Sequence, residues 1–120
     1  MSTELVQLRS VYAEPGFLLL ATDSEERSVG CVGVRSLGDG GGELRRLFVD
    51  GPGRSAGLGR ALSVTALEAC RERGLSRVVL NTLPTMVHAL ELYEQLGFAP
   101  IDPYVADPTA GVLYFELNLI

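Results

Sequence analysis

Lysine and tryptophan are absent from this chain, histidine occurs once and cysteine twice among its 120 residues. Each shortage removes a class of chemistry. Without lysine there is no Gly-Lys-Ser/Thr ending for a Walker-type phosphate loop. Cys31 and Cys70 lie far apart, in a strand-like and a helix-like stretch, and lack metal-ligand spacing; both read as buried, reduced thiols, and no metal is expected. No apolar run approaches the roughly 18 residues of a membrane-spanning helix, and the N-terminus lacks a signal-peptide pattern. The expected setting is therefore cytoplasmic, with no membrane partner. All ten basic residues are arginine, which we read as coding bias because they serve helices and loops alike. Against fifteen acids they leave a net charge of −5, which argues against general nucleic-acid binding, since neutralising phosphates needs a basic face.

What is present is an ordinary globular composition, 47% hydrophobic and 21% charged, and a length that suits one domain over residues 1–120. Residues 17–22 form a continuous apolar run, followed by a polar turn, a second strand-like run at 29–37 and a third at 43–49. The glycine-rich piece at 38–42 reads as the hairpin loop between the last two. Residues 58–73 place Leu58, Leu62, Ala66, Ala69 and Cys70 at helical spacing, and Gly74 suits the position after the helix end. A short buried strand at 76–81 follows, then a helix that Pro84 opens and Gly97 stops, then strands at 98–101 and 112–119. The order implies a mixed sheet flanked by helices, because strand–helix–strand steps make right-handed parallel crossovers.

One segment carries chemistry. Arg54-Ser55-Ala56-Gly57-Leu58-Gly59 joins an apolar strand to a strongly helical stretch. The first turn of a helix has N–H groups without partners, its dipole favours negative charge, and glycines let a phosphate approach the backbone. The segment is either a pyrophosphate cradle or a plain loop that caps a helix. Gly51-Pro52-Gly53 does not supply G-x-G-x-x-G at the right offset, and no acid stands at a strand end ~20 residues on, so a dinucleotide-binding oxidoreductase is the poorer alternative.

Arg54-x-x-Gly57-x-Gly59 at a strand-to-helix turn resembles the acetyl-CoA pyrophosphate loop of the GNAT family of N-acetyltransferases. Leu90-x-Leu92-Tyr93-x-x-Leu96-Gly97-Phe98 is similar to that family's late helix and following strand, and the two motifs stand in the family's order with one strand between them. The resemblance covers roughly residues 17–119. It implies an acyl-CoA N-acyltransferase fold of the α/β (α+β) kind: a mixed, mostly antiparallel central sheet flanked by helices. Because only about sixteen residues precede Phe17, room for a short helix at most, the usual first strand and helix are expected to be missing, leaving a sheet edge bare.

By the same resemblance acetyl-CoA is the co-substrate. Its pyrophosphate would be held by Arg54, Ser55, Ala56, Gly57, Leu58, Gly59 and Arg60. Its pantetheine arm would pair with the backbone of Leu47, Phe48 and Val49, and Asn81 would also contact it. Tyr93 would protonate the departing thiolate, its alternative being an aromatic packed under Phe98. Glu43 would deprotonate the amine through water, its alternative being a solvated strand-end charge. His88 lies off the Tyr93 face and reads as a surface residue. Gly51, Gly53 and Ser55 replace residues that usually stiffen the loop, and Met86 stands where many relatives carry asparagine. The implied activity is acetyl transfer to a primary amine of a small molecule or peptide by direct attack; the alternative is an acyl-CoA-binding or protein-interaction module. A homodimer is expected from the bare sheet edge and the apolar C-terminal strand.

Overall fold

The computed structural model describes residues 3–9, 16–23, 25, 27–49 and 57–120. Strands β1 (Thr3–Arg9), β2 (Phe17–Asp23), β3 (Ser28–Ser36) and β4 (Gly41–Val49) precede helix α1 (Leu58–Glu72). Strand β5 (Arg77–Thr82), helix α2 (Val87–Gln95), and strands β6 (Ala99–Pro100) and β7 (Leu113–Asn118) complete the order. All seven strands form one sheet, β1-β2-β3-β4-β5-β7-β6. Among the described strands only β4 and β5 pair in parallel, because α1 carries the chain back across the sheet between them.

Two expectations are corrected. The stretch before Phe17 holds a strand, not a short helix: β1 pairs with β2 from Thr3–Asp23 to Arg9–Leu18, with a shift between Leu5 and Gln7. Seven residues suffice for this because the N–H and C=O row of β2 otherwise lacks partners. The edge expected to be bare at β2 is therefore covered. The second helix begins at Val87, not at Pro84. Met86 N–H donates to Leu83 O at 3.0 Å, so Pro84 occupies a turn, where its fixed φ fits, and the first helical bond is Leu90 N–H to Met86 O.

Strand parity divides the sheet into two faces. Val32, Val34, Val78 and Leu80 point to one side, where Leu62, Ala66 and Cys70 of α1 and Tyr93 of α2 join them in a single buried cluster. Burial pushes the Cys70 thiol up to about 12, so it stays neutral, as expected of a core thiol. Cys31, by contrast, is only half-buried: it belongs to the opposite face. Close packing explains Gly42, where a β carbon would stand 2.8 Å from Val34 Cγ1. Gly74, with φ of 79°, takes the left-handed turn that ends α1. The other face carries Arg35, Glu43, Arg45, Asn81 and Tyr114, and among the described residues neither helix covers it.

Two irregularities shape the centre. Gly33 pairs with Arg45 and Cys31 with Phe48, so β4 bulges by one residue and its later residues change faces. The β4–β5 ladder is short, running from Gly41–Arg77 to Glu43–Val79, while β4 continues beside β3 to Val49 and β5 beside β7 to Thr82. Past Glu43 the sheet splits into a V.

Candidate active site

A helix starts at the mouth of this V. Gly57, the residue before α1, has φ of 73° and ψ of 21°, a left-handed conformation that glycine takes without strain. The first helical bond is Ala61 N–H to Gly57 O at 3.1 Å, so Leu58, Gly59 and Arg60 present N–H groups with no helical acceptor. Among the described residues no side chain caps them and no acid lies in the first turn. The uncapped donors and the helix dipole make this terminus a site for an anion. Leu58 turns its side chain into the core, so it has only backbone to offer. Arg60 donates from Nη1 to Gln95 Oε1 at 3.3 Å, tying α1 to α2. Arg54, Ser55 and Ala56, the remaining expected contacts, lie outside the described residues.

The end of β4 lines one arm of the V. Leu47 and Val49 pack against the core, whereas Phe48 is 56% exposed on the open face. With side chains turned to either face, what β4 can offer across the gap to β5 is backbone N–H and C=O, the groups an extended amide-bearing chain would pair with.

Tyr93 is buried, its ring meeting Phe98 edge to face at 5.6 Å and 60°. Its hydroxyl has no hydrogen-bond partner among the described residues. Burial raises its pKa above the ordinary 10.0, so the phenol keeps its proton at neutral pH. Packing under Phe98 and an available proton therefore coexist; the two expected readings of Tyr93 do not exclude each other.

Glu43 stands at the crotch of the V as the last β4 residue paired with β5, and its side chain is only 6% exposed. It is not a solvated strand-end charge. Tyr104 Oη donates to its Oε2 at 2.6 Å, Arg35 Nη2 donates to its Oε1 at 3.1 Å, and Arg45 Nη1 lies 3.6 Å from the same oxygen. Asn81, expected among the cofactor contacts, donates its amide to Tyr104 Oη at 3.0 Å and so belongs to this cluster. Tyr104 also meets Tyr114 edge to face at 5.3 Å. Burial, then the bond to Glu43, raises the Tyr104 pKa, partly offset by the Asn81 donor. His88 is exposed.

Arg35, Arg45 and Tyr104 were not legible as site residues from sequence. Arg35 has a signal in hindsight, since it faces Glu43 across a hairpin whose loop was recognised. Tyr104 has a weaker one: Pro103-Tyr104 looks like a bacterial subgroup of the family, but no local pattern sets it against a partner 61 residues away.

A mixed sheet split beside its parallel pair, with an uncapped helix start at the mouth, defines the class: an acyl-CoA N-acyltransferase fold. The model of the Acetyltransferase (GNAT) family matches residues 2–98, and the chain belongs to that family. It is 34% identical over 118 residues to an uncharacterized N-acetyltransferase of Schizosaccharomyces pombe, covering 97% of this chain and 72% of that one. It is 34% identical over 101 residues to the uncharacterized N-acetyltransferase YjgM of Escherichia coli, covering 82% of this chain and 60% of that one. Among solved structures, a Bacillus subtilis acetyltransferase in complex with CoA matches with a TM-score of 0.74 and 18% identity, over 90% of this chain and 80% of that one; that likeness shows the fold alone.

Proposed function

We propose that the chain transfers an acetyl group from acetyl-CoA to a primary amine of a small molecule or peptide by direct attack. The observations that support this reading are a helix start uncapped by any described side chain, a buried phenol on α2, and a buried carboxylate where β4 and β5 part. The pyrophosphate would lie against the N–H groups of Leu58, Gly59 and Arg60, and the charge of Arg54 would add to its binding. The pantetheine arm extends along the β4 backbone at Leu47, Phe48 and Val49, which brings the thioester toward the crotch.

The amine nitrogen forms a bond to the thioester carbonyl carbon and the carbon–sulfur bond breaks. One amine proton leaves toward Glu43, through water or through Tyr104 Oη, and the thiolate takes the Tyr93 proton, which solvent restores. Calorimetric titration with acetyl-CoA tests the first half of this reading. Binding in the micromolar range is expected; no heat at millimolar cofactor would sink it.

The oligomer is part of the proposal. The support from a bare β2 edge is gone, but among the described residues β7 is shielded on that side only at Ala99–Glu116, Pro100–Phe115 and a bond from Ile101 N–H to Tyr114 O. A second copy pairing along the rest of β7 would cover that row. Light scattering at high concentration is expected to give twice the chain mass, and a clean monomer would count against it.

A further inference from the structure

Resting on the transferase reading, we infer that the acceptor amine also carries a carboxylate, as an α-amino acid does, and that Arg35 and Arg45 recognise it. The evidence is an imbalance of charge beside Glu43. Two guanidiniums meet one carboxylate, and among the described residues Glu43 is the only acid either of them reaches. Within this cluster one positive charge is left over, while farther along the same face Arg77 stands against two acids, in a chain whose net charge is −5.

The exposures run the same way. Glu43 is buried, but the side chains of Arg35 and Arg45 are 48% and 42% exposed, so their outer N–H groups reach solvent above it. A guanidinium has five donors in a planar fork. Arg35 uses one of them on Glu43, and Arg45, at 3.6 Å, makes an ion pair too long for a hydrogen bond. What remains matches the two oxygens of a carboxylate. Arg77 shows the contrast. On the same face of β5 it is held by Asp39 at 2.8 Å and Glu116 at 3.2 Å, so its charge is answered within the fold.

Position supports the same conclusion. Arg45 is the last β4 residue before the bulge, between Glu43 and the segment proposed to hold the thioester arm. A simple ammonium ion approaching Glu43 would be repelled by the surplus charge. An amine bearing a carboxylate brings an anion for the arginines and places its nitrogen toward Glu43 and the thioester.

Thiol release with matched pairs, an α-amino acid and its primary amide across several side chains, tests this. The wild-type chain is expected to favour the acid in kcat/KM by roughly 10- to 100-fold, the size of a hydrogen bond to a charged group. Arg45→Gln and Arg35→Gln are expected to collapse that ratio toward one, and Arg45→Lys to keep part of it. Equal use of acid and amide by the wild-type chain would overturn the inference, as would a ratio unmoved by both glutamine variants. Calorimetry of the same pairs on CoA-loaded protein separates it from the transferase reading. Acid-over-amide binding without turnover would keep the carboxylate site and sink the transfer, and turnover without preference would do the reverse.

Discussion

Tyr93→Phe is expected to lower kcat by roughly 10²- to 10⁴-fold, the usual range for loss of a positioned general acid, with the melting temperature nearly unchanged. The two effects separate because the substitution removes one oxygen and keeps the ring. The ring makes the packing contact with Phe98, while the hydroxyl bonds to no described residue, so the fold loses little. The chemistry would lose the proton that turns a departing thiolate into a thiol. A pH profile adds a sign that a packing role would not move. Burial raises the Tyr93 pKa, so the protonated form is present below the ordinary tyrosine value of 10.0 and is lost as pH rises through the raised one. The alkaline limb of kcat should accordingly lie above the ordinary tyrosine range and disappear in Tyr93→Phe. An unchanged kcat in the variant would remove Tyr93 from the mechanism.

Glu43→Gln is expected to cost a comparable roughly 10²- to 10⁴-fold in kcat/KM, with a stability change of about 1 kcal/mol or less. Glutamine keeps an oxygen for the Tyr104 hydroxyl and removes the charge. Arg35 and Arg45 are nearly half exposed, so water can take over what the carboxylate did for them. A proton acceptor, however, would be gone. Acceptors whose amine is already neutral at the assay pH need one deprotonation fewer, and for them the loss should shrink. A uniform loss across acceptors of different basicity would mean that Glu43 only holds the arginines and Tyr104 in place, a positioning role without proton transfer.

The parts of this site differ in how far they could be read from the chain. The helix at Leu58–Glu72 and its glycine-rich approach were readable because helical spacing and turn residues are local signals. Tyr93 and Glu43 were reached through the family resemblance, but their surroundings were not. Nothing near Glu43 in sequence says that its carboxylate is covered by Tyr104, 61 residues on, or that β4 bulges just after Arg45. The strand Thr3–Arg9 escaped for a related reason. Seven residues carry little periodic signal, and what makes them a strand is the unpaired edge of β2. Pro84 misled by one turn, since proline suits a helix start and a tight turn equally.

By itself, then, the amino-acid order determined the apolar strands, the two helices, the glycine turn at the first helix start and the resemblance to the acyltransferase family. These follow from contacts within a few residues, where spacing and backbone preference act directly. Only the tertiary structure decided that β4 and β5 part after Glu43, that this carboxylate is buried under Tyr104, and that two arginines face it. Those outcomes depend on strand register and on which face each side chain takes. A one-residue bulge reverses the face, and no local pattern records it.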